Sequence, residues 1–291
     1  MSLEWLELGH CTSLEIMINL PKLKRRPYVY AWQCGKLVEA QNWFRLEPIQ
    51  NIDAEMIKNL GLVELESIGK VDMKFYNYLT DTHNIGPIQA VYECGIVSIF
   101  HPGNEVPCWF SKKSRKSSIC FNVPSLPNLK IRGLNVCIVY ADDYSSTMNT
   151  YITSPFAIEI FNKTKDVQWV YFPACVGIPE EGENMKWSSL GKIGNQLEVG
   201  DEVVVSAMGV GYEVKEIGVD IVYEEEEKDT QLNNYTSSPD LSPYQVSQGR
   251  YDLRYYYIHP FWLISSSYDF IFGDTSQDIY TFSAIMAVML A

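Results

Sequence analysis

The side chains that most often carry chemistry are sparse and scattered in this sequence. Four histidines, at 10, 83, 101 and 259, are too dispersed to suggest a ligand cluster or an acid–base pair. Seven cysteines, at 11, 34, 94, 108, 120, 137 and 175, include no C-x2-C pair, the spacing with which one turn presents two thiolates to zinc. Most sit in apolar stretches such as Val136-Cys137-Ile138 and read as reduced core residues. Gly191-Lys192-Ile193 lacks the earlier glycine and the magnesium-holding hydroxyl of a phosphate-cradling loop, and neither G-x-S-x-G nor H-E-x-x-H occurs. Glu180, Glu181 and Glu183 lie together, but adjacent carboxylates in a Gly/Pro-rich loop are usually solvated acids. No catalytic residue, cofactor or metal ion is assigned.

Other residues suit binding better than turnover. Lys112-Lys113-Ser114-Arg115-Lys116 is a basic run, Lys22-Leu23-Lys24-Arg25-Arg26 another; each suits an anionic partner or is a hydrated loop. Asp142, Asp143 and Tyr144 open a hydroxyl-rich stretch over 142–150, and Tyr30 and Trp32 stand in 28–32. Charge or hydroxyls beside aromatic rings make the mixture that supplies hot spots at protein interfaces. Trp169, Tyr171 and Trp187 could instead stack on sugars if they form an exposed row; buried, they argue for a protein-binding module. A nucleic-acid partner is not expected. The net charge is −13, and residues 201–291 carry only 4 basic side chains against 15 acidic ones, the wrong sign for contact with phosphates.

These residues need elements to hold them. Leu3, Leu6, Leu8, Cys11 and Leu14 fit L-x-x-L-x-L-x-x-C-x-x-L, one leucine-rich repeat with a strand at 6–8. A poorer match begins at Leu23, with its strand at 28–31 and with Cys34 and Leu37 in the later positions. Each such repeat exposes apolar faces above and below and is stable only when stacked. Residues 1–50 therefore read as terminal repeats of a longer solenoid, and 51–90 as a helical connector. In the connector Asp53 is set to cap a helix over 54–60 that Gly61 ends, and Val71, Lys74, Phe75, Tyr78 and Leu79 make a helical stripe over 70–79.

From about residue 91 the pattern changes to short apolar or alternating runs at 95–100, 117–123, 133–140, 156–161, 168–172, 202–208 and 212–223, separated by Pro, Gly, Asn and Asp. The chain is thus predicted to be mainly β, an antiparallel jelly-roll or Ig-like sandwich over 91–223. Glu224 to Glu227 should end the last strand by repulsion. Residues 224–291 then read as an acidic linker and an irregular tail. The N-terminus carries acid where a signal peptide would be basic, and no apolar run reaches the ~20 residues of a spanning helix. A cytoplasmic location, with the nucleus as the alternative, and no membrane partner are expected.

One segment is more specific. Phe100-His101-Pro102-Gly103-Asn104-Glu105-Val106-Pro107-Cys108-Trp109-Phe110, then Ser117-Ser118-Ile119, then Arg132-Gly133-Leu134, closely resembles the F-x-P-G-x-E-[IV]-P-x-W-F … S-S-I … x-G-[FL] signature of the C-terminal jelly-roll/Ig-like domain of plant TIR-type nucleotide-binding leucine-rich-repeat immune receptors. Residues 214–223, V-K-E-I-G-V-D-I-V-Y, are similar to that domain's last strand, with Ile217 in place of a usual cysteine and Gly218 retained. On the residues themselves, Pro102, Gly103 and Asn104 make a tight reversal, Pro107 fixes the approach, and Glu105 is set to accept from donors of the turn. Trp109 and Phe110 are expected to be buried and to close one end of the sandwich.

The resemblance implies a non-catalytic recognition module that binds a pathogen effector protein and contacts other domains of a parent receptor. It implies no nucleotide or metal of its own. The NAD-cleaving TIR domain and the ATP/ADP-binding motor of such receptors precede the repeats, so no NAD cleavage is expected of this chain. A carbohydrate-binding sandwich and a purely structural cap of the solenoid are the alternatives.

Overall fold

The computed structural model describes residues 5–18, 28–41, 44–52, 54–60, 62, 68–126, 129–142, 156–191, 196–209, 211–225 and 249–253. Asp53, Gly61, the basic run at 22–26, and Asp143 and Tyr144 with the rest of 143–155 lie outside them, as do 226–248 and 254–291.

At the start two units repeat. Strands β1 (Trp5–Glu7) and β3 (Tyr28–Tyr30) pair in parallel, as do β2 (Ile16–Met17) and β4 (Glu39–Ala40), and in both ladders the partners are 23 residues apart. The turn after each strand carries the ladder on, Leu8 N–H donating to Tyr30 O (2.7 Å) and His10 N–H to Trp32 O (2.8 Å). The Cys34 thiol donates back to Leu8 O at 2.8 Å, which ties the cysteine position to the neighbouring unit. Stacking decides burial: Val29, Ala31, Cys34 and Leu37 of the second unit are buried, whereas Leu6 and Leu14 of the first are only partly covered.

The parallel ladders end on antiparallel partners. Strand β5 (Phe44–Pro48) runs against β4, and the turn at 78–81 accepts from Ala31 N–H through Leu79 O (3.1 Å) and from Gln33 N–H through Thr80 O (2.8 Å). The expected connector helix survives only as α1 (Ala54–Asn59). Residues 70–79 are not helical; they form β6 (Asp72–Asn77), paired with β7 (Thr82–Pro87). A stripe at offsets 0, 3, 4, 7 and 8 fits a helix, yet Asp72, Met73 and Lys74 alternate exposed, buried, exposed, and cross-strand pairing selects that second period.

Beyond this the chain is a sandwich. Nine strands hydrogen-bond in the order β10 (Lys112–Ser114), β18 (Tyr212–Glu225), β12 (Leu129–Asp142), β16 (Met185–Gly191), β9 (Ile96–Pro102), β8 (Gln89–Glu93), β5, β4, β2. The sheet thus runs unbroken from the sandwich into the second repeat ladder. Its inner face is covered by two smaller sheets: β11 (Ser118–Asn122), β17 (Glu202–Met208), β13 (Ala157–Asn162), β14 (Val167–Tyr171) and β19 (Gly249–Leu253) in one, and β15 (Cys175–Gly177), β6 and β7 in the other. Strand β18 continues two residues into the acidic run, with Glu224 in register with Lys130, and β19 lies within the stretch expected to be irregular.

Aromatic rings fill the space between the layers. Trp187, Tyr140, Tyr171 and Phe156 are fully buried, with Phe100 stacked on Trp187 at 5.2 Å. Their polar atoms are satisfied in a relay: Trp187 Nε1 donates to Ser98 Oγ (3.0 Å), Ser98 bonds Tyr171 OH (3.1 Å), and Tyr171 OH donates to Glu93 Oε1 (2.9 Å). Ala174 N–H also donates to that oxygen, at 2.7 Å. Burial outweighs both donors and pushes the Glu93 carboxyl up to about 8, so at neutral pH it is mostly protonated.

Candidate functional site

The segment from Gly103 to Ser111 lies across the outer face of the large sheet. Strand β9 stops at Pro102 and the chain bends over 104–105, held to the neighbouring turn by Gly103 N–H to Asn184 O (3.1 Å) and by Asn184 Nδ2 to Asn104 Oδ1 (3.1 Å). Val106 and Phe110 then pack down onto Cys137 and Val139 of β12, forming a small core of their own outside the sandwich. Burial outweighs the nearby Lys186 charge and the hydrogen bond from Ser188 Oγ, pushing the Cys137 thiol up to about 11 and keeping it protonated.

Four contacts clasp this loop. Val106 N–H donates to Glu216 Oε2 (2.8 Å) and Val106 O accepts from Lys113 Nζ (2.9 Å), so one residue is gripped from β18 and from β10. Phe110 N–H closes back onto Pro107 O (3.2 Å), and Ser111 Oγ donates to Asp220 Oδ1 (2.6 Å). Beneath Val106 lies Gly218: a β-carbon there would stand 2.3 Å from Val106 Cγ1 and 3.1 Å from Phe110 Cδ1. The two halves of the signature, over a hundred residues apart in sequence, are therefore one contact. Ile217, in the position of the usual cysteine, is fully buried on the opposite face, in register with Ile138.

The roles differ from the expected ones in two respects. Glu105 is exposed and the carboxylate that takes the turn's donor is Glu216, because the loop faces β18 there. Trp109 is not buried but 37% exposed, whereas Phe110 is 5% exposed. The chain turns at 108–109, so these adjacent side chains cannot both face the sheet. Trp109 instead stacks on the outer side of Phe110, 4.1 Å between ring centroids. Neither closes an end of the sandwich. Gly133 is buried beside a β-bulge, where the register shifts between Ile131 and Gly133 opposite Tyr223 and Val222.

The basic run divides. Lys113 is spent on the clasp, and Lys112 lies over the Phe121 ring at 5.1 Å with its Nζ donating to Ser111 Oγ. Arg115 and Lys116 are exposed at the bend between β10 and β11. Asp142 ends β12 opposite Tyr212, partly buried, and that burial raises its carboxyl above the ordinary range. Tyr30 and Trp32 are half-buried on the repeat units, Trp32 edge-on to His10 at 4.4 Å. Burial, then the Asp81 and Glu7 carboxylates, raises the Tyr30 hydroxyl. Lys112 and Lys113 thus belong to the clasp, whereas Arg115, Lys116, Asp142, Tyr30 and Trp32 are not among its contacts.

Trp169, Tyr171 and Trp187 are all buried, so they make no sugar-stacking row. Glu180, Glu181 and Glu183 are exposed on a turn. Among the described residues no group of three or more His, Cys, Asp and Glu is placed to hold a metal ion, and no helix is long and apolar enough to cross a membrane. His101 is buried with its Nδ1 on Pro102 O (3.0 Å) and its Nε2 without a partner; burial and then Lys186 lower it to about 4.

Residues 101–228 match the family model of the C-JID domain, the C-terminal jelly-roll/Ig domain of TIR-type plant resistance proteins and a non-catalytic recognition domain. The match begins at His101, next to the clasped loop, and ends just past β18. No curated protein matches the chain.

Proposed function

We propose that the chain is the recognition end of a plant intracellular immune receptor, binding a pathogen effector protein without catalysing a reaction. The observation that carries the reading is the clasped loop inside the matched domain. Val106 and Phe110 are locked to the sheet, while Trp109 is displayed on top of them. An aromatic ring on a rigid support offers contact area with little entropy left to lose, which is how interface anchors work. Arg115 and Lys116, the 142–150 stretch and the repeat surface around Tyr30 and Trp32 supply further contacts. In this reading residues 1–50 are leucine-rich repeats, the receptor's other domains are the second class of partner, and the location is cytoplasmic or nuclear.

A structural cap of the solenoid is the second reading, favoured by the turn at 78–81, which accepts from Ala31 and Gln33 N–H in the segment that follows β3. One experiment separates the two. Residues 28–32, 112–116 and 142–150 are each replaced by Gly/Ser of equal length in the complete receptor, and Trp109 by Ala, with effector binding measured beside a folding control. Weaker binding with folding intact supports recognition; unchanged affinity in every variant leaves the cap.

A further inference from the structure

Strand β19 comes from beyond the matched domain and joins the sheet at its β14 edge. It pairs in parallel, Val167 with Gly249 through Tyr171 with Leu253, although the other described partnerships in that sheet are antiparallel. Leu253 is 1% exposed and, with Ile96, Leu134, Ile158, Trp169 and Tyr171 from both layers, lines a small apolar cavity of about 20 Å³. Gly249 opens the strand at φ +120°, a conformation other residues rarely adopt. Between β18 and β19 stand residues 226–248, a connection of 23 residues. A strand reached by so long a connection, from beyond residue 228 where the matched domain ends, and laid in parallel on the sheet edge, has the arrangement of a bound peptide.

We propose that the β14 edge is a binding site for an extended peptide running parallel to β14, with an aliphatic side chain in the space held by Leu253, and that residues 249–253 are its built-in occupant. Main-chain hydrogen bonds supply affinity in strand addition and the side-chain pocket supplies selectivity. The tether presents the resident strand at an effective concentration on the order of 1 mM. A partner's segment must therefore exceed that competition, so the occupant sets a threshold for binding.

The test uses the full chain and a fluorescent peptide of residues 247–255. With Leu253→Asp the resident strand is released, and the peptide is expected to bind at least ten-fold more tightly than to the wild-type chain, while a peptide with Asp at the leucine position does not bind. Near-UV circular dichroism checks that the variant is folded, and Leu253→Ala is run in parallel as the milder release. Equal binding of the peptide to wild type and folded variants, or binding to neither, overturns the proposal. So does global unfolding of both variants, which would make β19 an integral part of the core.

Discussion

Val106 sits directly on Gly218, so close that a single added β-carbon would be 2.3 Å from its Cγ1. This contact explains why a glycine stands in the middle of a fourteen-residue strand, where it otherwise weakens pairing. Gly218→Ala should destabilise the domain by about 1–3 kcal/mol, the usual cost of overpacking. Val106→Ala removes the clashing methyl, so the double variant should recover part of that loss. Urea denaturation of the two single variants and the double variant measures the coupling, and strict additivity would show that the two residues are independent.

The clasp on Val106 makes a second expectation specific to one of two glutamates. Removing Glu216 strands a buried N–H and should cost about 1–3 kcal/mol. Glu105 is exposed and its replacement by Ala should stay within about 0.5 kcal/mol. Thermal unfolding of Glu216→Ala and Glu105→Ala side by side gives the comparison, and equal losses would contradict the geometry.

Phe110 and Trp109 should separate stability from recognition. Phe110→Ala leaves a cavity over Cys137 and Val139 and should cost about 3–5 kcal/mol. Trp109→Ala strips only the outer layer and should cost less than about 2 kcal/mol. Denaturation midpoints rank the two, and a larger loss at Trp109 would mean that its exposed ring is not what it is here.

How far the sequence discloses these relationships depends on the kind of signal. Strands such as β17, where Val203, Val205 and Ala207 are buried and the residues between them are not, write their period directly into the sequence, and the sandwich is legible from them. Strand β16 is not, because its inward positions include Ser189 and its run Met185-Lys186-Trp187-Ser188-Ser189 has little apolar contrast. Its serines are buried by sheet packing, which no local pattern records. The 70–79 stripe satisfied two periods at once, and only the pairing of β6 with β7 and β15 chose between them. In the signature, residue types pointed to a rigid loop, but which of Trp109 and Phe110 is buried follows from the turn between them. Glu216 carried a weak clue: two residues before Gly218 on a strand, it shares that glycine's face.

Two buried titratable groups predict opposite pH slopes, and their windows differ. Glu93 is raised to about 8, against an ordinary value near 4.5 in the unfolded chain. Between these values the folded state holds a proton that the unfolded state has lost, so this group's contribution falls as pH rises and is constant above about 8. His101 is lowered to about 4 from about 6.5, so between those values the unfolded state binds the extra proton and stability rises with pH. The two oppose each other from about pH 4.5 to 6.5, and above that Glu93 acts alone. Glu93→Gln should therefore gain on the wild type as pH goes from 6.5 to 8, by at most about 1.4 kcal/mol per pH unit, and run parallel to it above 8. His101→Gln should lose the compensating rise, so that its stability falls with pH more steeply than the wild type between 4.5 and 6.5. Urea unfolding of the three proteins across pH 4.5–9 reads both differences. A constant offset between Glu93→Gln and the wild type from pH 6.5 to 8 would mean that the carboxyl is already ionised in the folded state, and that the relay from Trp187 through Ser98 and Tyr171 ends on a charge.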